Sequence, residues 1–196
     1  MKYLACVLAV CVVLCLAVGC LNVENRCVDR SVQVLRGPGC GSGVFVCDDL
    51  ILTARHVTQT PHELRVRTPD GEEYPVIEVI QSADADLALM RVLTPARERR
   101  VWFGKARVGV TVYHVGSPHG LWPTVSRGIV SALRPEGGYV QTDAMIAPGS
   151  SGGGLFDSYG RLIGVVTARY EVGFSIAVDV ERIRGFLNAS GTGVRW

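Results

Sequence analysis

Thr142-Asp-Ala-Met-Ile-Ala-Pro-Gly-Ser-Ser-Gly-Gly-Gly-Leu-Phe156 is the stretch that decides how this chain is read. It presents Ser151 inside Gly149-Ser150-Ser151-Gly152-Gly153. Glycines on both sides allow a tight turn that other residues would strain. On such a turn the hydroxyl points outward and neighbouring backbone N–H groups converge on one point. That arrangement suits a nucleophile beside an oxyanion hole. Alone, a Gly/Ser-rich loop is as readily a plain turn or a phosphate cradle.

Two upstream segments narrow the choice. Gly41-Ser-Gly-Val-Phe-Val-Cys-Asp-Asp-Leu-Ile-Leu-Thr-Ala-Arg-His56 reads as two short strands joined by a turn at Cys47–Asp49, the second strand delivering His56. Ser82-Ala-Asp-Ala-Asp-Leu-Ala-Leu-Met-Arg-Val92 sets Asp86 at the start of an apolar strand. A serine nucleophile needs a base to take its proton. It also needs a buried carboxylate that orients the imidazole and stabilises its charged form. His56, Asp86 and Ser151 supply these types in that order. A protonated imidazole is no base, so activity is expected to fall below neutral pH, and a flat rate between about pH 5 and 8 would count against this chemistry.

With these residues in view, the chain resembles the trypsin-like serine proteases, and within them the bacterial HtrA-type branch. Leu52-Thr-Ala-Arg-His56 resembles that branch's histidine motif, Ala85-Asp86-Leu-Ala-Leu its aspartate motif, and Gln141-Thr-Asp-Ala through Gly153 its serine motif. Gly116-Ser-Pro-His-Gly-Leu-Trp-Pro-Thr-Val-Ser-Arg-Gly-Ile-Val-Ser131 resembles the strand pair opening its second barrel. Gly164–Ala168 and Gly173–Ala177 resemble the strands bordering its specificity pocket.

The resemblance implies an all-β fold of two six-stranded antiparallel barrels with a short C-terminal helix, and a serine endopeptidase. Ser151 is then the nucleophile, His56 the general acid/base and Asp86 its orienting partner. The N–H groups of Gly149 and Ser151 form the oxyanion hole. Asp84 reads as a solvated loop residue, because the family motif puts its aspartate directly before Leu-Ala-Leu. Met145 and Ile146 are expected at the floor and wall of the primary pocket. Ala168, Arg169, Gly173 and Phe174 are expected around it, and Thr167 to Arg169 offer an edge for strand addition. No carboxylate stands at the floor position, so cleavage after small or medium aliphatic residues is expected.

The chain also departs from the family pattern. Ser150 stands where trypsin-like zymogens carry an aspartate that pairs with a newly cut N-terminus, so no such activation is expected. Gly154 replaces a proline. Ten residues follow Phe186, too few for a peptide-binding PDZ domain.

The N-terminus reads as an export signal. Met1-Lys-Tyr3 precedes fifteen uninterrupted apolar residues, Leu4 to Val18, short for a membrane span. Ala17-Val-Gly-Cys20 resembles a lipobox, which makes Cys20 a lipidation candidate and the product a membrane-anchored lipoprotein facing the periplasm or cell exterior. A conventionally cleaved secreted chain and an uncleaved anchor are the alternatives. The expected layout is a signal over residues 1–20, a tether over 21–31, a protease domain over 32–188 divided near 104, and a tail over 189–196.

Of seven cysteines, Cys27, Cys40 and Cys47 fall beyond the signal and Cys20. One disulfide among three is open, as Cys27–Cys40 or Cys40–Cys47. No cysteine has metal-ligand spacing with a histidine, and His62, His114 and His119 are expected in solvated or loop positions. No metal and no cofactor is expected. A formal net charge of +2 leaves no footprint for nucleic acid. Arg97, Arg99 and Arg100 read as a solvated linker between barrels.

Short β-branched runs punctuated by Gly, Pro, Asp and Ser dominate the rest. Strands are expected at 32–35, 44–46, 50–53, 64–67, 76–80, 87–92, 110–115, 128–133, 139–142, 162–168 and 174–178. Helical periodicity is confined to Val180–Leu187, with Asp179 as its N-cap. The partners implied are polypeptide substrates. The rival reading is a trypsin-fold module, catalytically silent or chaperone-like, that binds peptides without cutting them. An esterase is disfavoured because its elbow chemistry runs Ser, Asp, His along the chain.

Overall fold

The computed structural model describes residues 23–93 and 99–193. Cys20, the signal and Arg97 lie outside the described residues.

The strands that build the first half are β1 (Ser31–Arg36), β2 (Gly39–Cys47), β3 (Leu50–Thr53), β4 (Leu64–Arg67), β5 (Glu73–Gln81) and β6 (Ala88–Val92). They close into an antiparallel barrel in the order β1-β2-β3-β6-β5-β4. The second half repeats the architecture with β7 (Thr111–Gly116), β8 (Thr124–Arg134), β9 (Tyr139–Thr142), β10 (Gly154–Asp157), β11 (Leu162–Glu171) and β12 (Phe174–Asp179). Its closed order is β10-β11-β12-β9-β8-β7. Closure pairs every strand on both sides over part of its length, which suits a chain built of short strands.

The burial pattern explains the sequence. Side chains alternate across a strand, so an uninterrupted apolar run means both faces are covered. On β2, Phe45 points into barrel one with Val32, Val34, Ile51 and Met90. Val44 and Val46 point the other way, into a cluster that also holds Leu52, Leu87, Leu89, Val115, Phe156, Leu162 and Val165. That cluster lies between the barrels. Barrel two has its own interior of Val112, Val130, Leu155, Ile163, Val166 and Ala177. Burying one such side chain contributes about 1.5–3 kcal/mol, so the buried side chains of the seam help hold the two barrels together.

Two helices complete the seam. α1 (Val23–Asp29) falls inside the stretch expected to be a tether, yet it buries Val23 and Cys27 against the inter-barrel cluster. The tether expectation is therefore corrected over these residues: their apolar face packs on the body of the protein. At the other end, α3 (Val180–Ala189) buries Ile183, Phe186 and Leu187 in the same cluster. Asp179 caps it by accepting from the Arg182 N–H at 2.9 Å.

Two further expectations need correction. Cys27, Cys40 and Cys47 are free thiols. Cys27 is buried on the inner face of α1, Cys40 lies against the Ser117 carbonyl, and Cys47 donates to the Asp49 carboxylate at 3.2 Å. His114, expected in a solvated or loop position, is only 2% exposed. Its place on β7 alternates with outward Tyr113, and the pleat carries it inward.

Candidate active site

The β3 strand ends at Thr53, and a single helical turn, α2 (Arg55–Thr58), follows it. His56 rides on that turn. Its ring Nδ1 lies 2.8 Å from Asp86 Oδ2, and its backbone N–H donates to Asp86 Oδ1 at 3.0 Å. The carboxylate thus grips both the ring and the backbone of one residue, which fixes the imidazole's position and its tautomer. Two arginines hold the supports. Arg55 donates to the Ser82 carbonyl at 2.8 Å, and Arg36 donates to the His56 carbonyl at 3.3 Å. Asp84 is exposed and accepts from the Ser82 hydroxyl; it makes no part of the pair.

Asp86 has a third donor, supplied by the other barrel. The Thr167 hydroxyl of β11 donates to Asp86 Oδ2, the oxygen that also meets His56. Burial pushes the Asp86 carboxyl up, but the hydrogen bonds from His56 and Thr167 outweigh it and hold the group at about 2. It is ionised at any pH where the histidine could serve as base.

Ser151 is held by backbone contacts to both barrels. Its carbonyl accepts from the Ser42 N–H at 2.8 Å. The Gly152 N–H donates to the Val166 carbonyl at 2.7 Å, and the Val166 N–H returns a bond to the Gly153 carbonyl at 2.9 Å. Gly152 sits at φ 86, so close to barrel one that a Cβ there would collide with Thr53 Oγ1 and the Ser42 carbonyl. Thr53 is the last residue of the strand that leads to His56, so the turn bearing Ser151 is pressed against the strand end that precedes the histidine.

Ser150 closes its own turn. Its N–H donates to the Ala147 carbonyl at 2.9 Å and its hydroxyl accepts from the Ala147 N–H at 3.3 Å, with no exposed surface left. Gly149 adopts φ 96, where an L side chain is strained. Its carbonyl accepts from Ser42 Oγ at 2.8 Å, and the preceding Pro148 carbonyl accepts from the His119 N–H at 2.7 Å. In a trans peptide the N–H and C=O point in opposite directions. Fixing the Pro148 carbonyl on His119 therefore turns the Gly149 N–H the other way.

The family model for the trypsin-like peptidase domain matches residues 41–165, which contain all three of these residues. The chain belongs to the trypsin-like peptidases.

Its likenesses within that family are specific. The chain is 36% identical over 164 residues to the serine protease HTRA1 of Xenopus tropicalis, covering 76% of this chain and 36% of that one. It is 30% identical over 193 residues to the periplasmic pH-dependent serine endoprotease DegQ of Escherichia coli K12, covering 84% of this chain and 42% of that one. Among solved structures, the serine endoprotease from Yersinia pestis superposes with a TM-score of 0.80 at 25% identity, over 87% of this chain and 65% of that one. The chain spans about a third of the length of the curated relatives it matches first.

The residues expected around the primary pocket of this trypsin-like peptidase are placed as follows. Met145 is 75% exposed, with its carbonyl accepting from Ser126 Oγ at 2.8 Å. Ile146 is buried and packs into the barrel-two interior, so its side chain serves the core. Thr167 spends its hydroxyl on Asp86. Ala168 and Arg169 lie on β11 beyond the part that pairs with β10, which ends at Val165. Phe174 stacks on Tyr170 with ring centroids 5.2 Å apart. The roles of Thr167, Ser42 and His119 as supports were not legible in the sequence, because each acts through a contact with a distant part of the chain.

Proposed function

We propose that the chain is a serine endopeptidase that hydrolyses peptide bonds through an acyl-enzyme. The observation that carries the reading is the two-point grip of Asp86 on His56, beside a serine turn pressed against the same strand end. Ser151 Oγ attacks the scissile carbonyl carbon while His56 Nε2 takes its proton. The Gly149 and Ser151 N–H groups receive the charge that develops on the carbonyl oxygen. His56 then gives the proton to the leaving amine, and water repeats the cycle on the ester. Asp86 stays ionised throughout and stabilises the imidazolium.

Substrate is read as an extended strand laid along Thr167–Glu171, the length of β11 left without a β10 partner. The residue before the scissile bond is small or medium and aliphatic, since the apolar Met145 stands at the position expected for the pocket floor and no carboxylate does. Cleavage profiling that favoured Arg or Lys at that position would overturn the specificity. Export to the periplasm or cell exterior accords with the apolar N-terminal run, with Cys20 as the lipid-bearing residue, and with the relatives named as periplasmic.

The decisive experiment is labelling of the chain with a fluorophosphonate, beside a Ser151→Ala control. Label on wild type and none on the control supports the reading. A folded wild type that takes no label sinks it and leaves a peptide-binding module.

A further inference from the structure

Across three neighbouring strands of barrel one, Ser42 on β2, Gln33 on β1 and Arg67 on β4 are direct register partners. Antiparallel partners share a face, so the three side chains form one polar row. Such a row would be wasted on the outside of a barrel facing water. Here Gln33 is only 3% exposed, and a buried amide left without partners destabilises the fold.

Its partners lie in the other barrel. Gln33 Nε2 donates to Ser117 Oγ at 2.7 Å and to the Gly120 carbonyl at 3.3 Å. Gln33 Oε1 accepts from Arg67 Nη1 at 3.2 Å, and Arg67 Nε is in turn anchored on Glu73 at 2.9 Å. Ser42 reaches the same loop: its Oγ accepts from the Ser117 N–H at 2.9 Å while donating to the Gly149 carbonyl.

The segment so held, Ser117–Gly120, is the one that presses on Gly149. A Cβ on Gly149 would strike the Ser117 carbonyl. His119 within it takes φ 53, the left-handed region that a histidine seldom occupies, and in that conformation its N–H meets the Pro148 carbonyl. A strained residue persists only where its surroundings over-determine it. Gln33 grips the segment on both sides of His119, at Ser117 and at Gly120.

We infer that Gln33 is a positioning residue for the oxyanion hole, holding Ser117–Gly120 in the strained form that turns the Gly149 N–H toward substrate. The inference rests on the peptidase reading above and adds to it a residue of barrel one at the seam between the barrels. Relaxation of His119 to negative φ would swing its N–H off Pro148 and release the Pro148–Gly149 peptide. The His56–Asp86 pair shares no atom with this link, so it would survive the change.

The test uses the whole chain and two variants. Gln33→Glu keeps the size and the acceptor for Arg67 but removes the donor; Gln33→Met removes both. Labelling rate with a fluorophosphonate, whose phosphoryl oxygen needs the oxyanion hole, is expected to fall roughly tenfold or more in each. The low-field proton signal of the His56 Nδ1–H is expected to hold. A folded variant that labels at the wild-type rate overturns the inference. So does a variant in which labelling and the His56 signal are lost together, because that marks general loosening. Should neither variant fold, Ser117→Ala deletes only the hydroxyl that Gln33 meets, and wild-type labelling there is equally fatal. A wild type that takes no label removes the peptidase reading itself, and this inference with it.

Discussion

Thr167 and His56 meet the same oxygen of Asp86, one from each barrel. The carboxylate is thereby a shared joint, and its low proton affinity depends on both donors. Replacing Thr167 by Val keeps the shape and removes one charge-assisted bond of about 1.5 kcal/mol. We expect the Asp86 carboxyl to rise from about 2 toward its ordinary 3.8 and kcat to fall roughly tenfold. Thr167→Ser restores both. Peptide hydrolysis and NMR titration of Asp86 read the two effects; an unchanged titration would refute the joint.

Acid stability should follow His114. Burial takes its imidazole from 6.5 down to about 4, opposed only by the Gly154 carbonyl, and no charged side chain contributes. The unfolded chain binds this proton more tightly than the folded one. Stability from His114 is therefore complete above pH 6.5 and is lost as pH falls through about 4. The full effect is on the order of 3 kcal/mol. Melting of Ser151→Ala at pH 7.5 and 4.5, beside the same chain carrying His114→Met, isolates it: the variant should show the flatter dependence. Asp86 does not confuse the comparison, since its contribution is lost only between its ordinary 3.8 and about 2.

Two glycines at similar φ should respond differently. Gly152→Ala meets Thr53 Oγ1 and the Ser42 carbonyl, whereas Gly173→Ala, at φ 78, has nothing within 4 Å. The second costs about 1–2 kcal/mol of backbone strain alone. The first adds a clash at the barrel seam, and we expect at least about 3 kcal/mol and no fluorophosphonate labelling. Equal melting temperatures would contradict the close approach.

Thiol chemistry reports Cys27, Cys40 and Cys47, the free cysteines among the described residues. Cys27 is fully buried, and burial pushes its thiol up to about 12. Burial and the Asp49 carboxylate also raise Cys47. Alkylation of the native protein followed by peptide mass mapping should mark Cys40 first, Cys47 more slowly, and Cys27 only in denaturant. Recovery of any disulfide-linked pair among them would oppose the free-thiol arrangement.

The sequence was legible wherever a local pattern carried the information. His56, Asp86 and Ser151 stood in recognisable motifs, and the runs Val44-Phe-Val46 and Leu50-Ile-Leu52 read as strands because both their faces are buried. Strand β10 was not foreseen, since Gly154 looks like the tail of a loop; it is a strand because Gly154 pairs with Val115 on one side and Val165 on the other. The buried His114 was marked by the alternation of β7, a signal outweighed by the polarity of the residue. Gln33 was invisible for a different reason. Its meaning lies 84 positions away, at Ser117, and no window on one sequence spans that distance.

The division of labour between barrels also sets an order in time. A chain made from its N-terminus completes β1 to β6, with His56 and Asp86 in place, before the turn carrying Ser151 exists. Thr167, which completes the hold on Asp86, arrives later still. A half-made chain thus holds the His56–Asp86 pair without its serine, and the set proposed for hydrolysis is complete only once the last strands close.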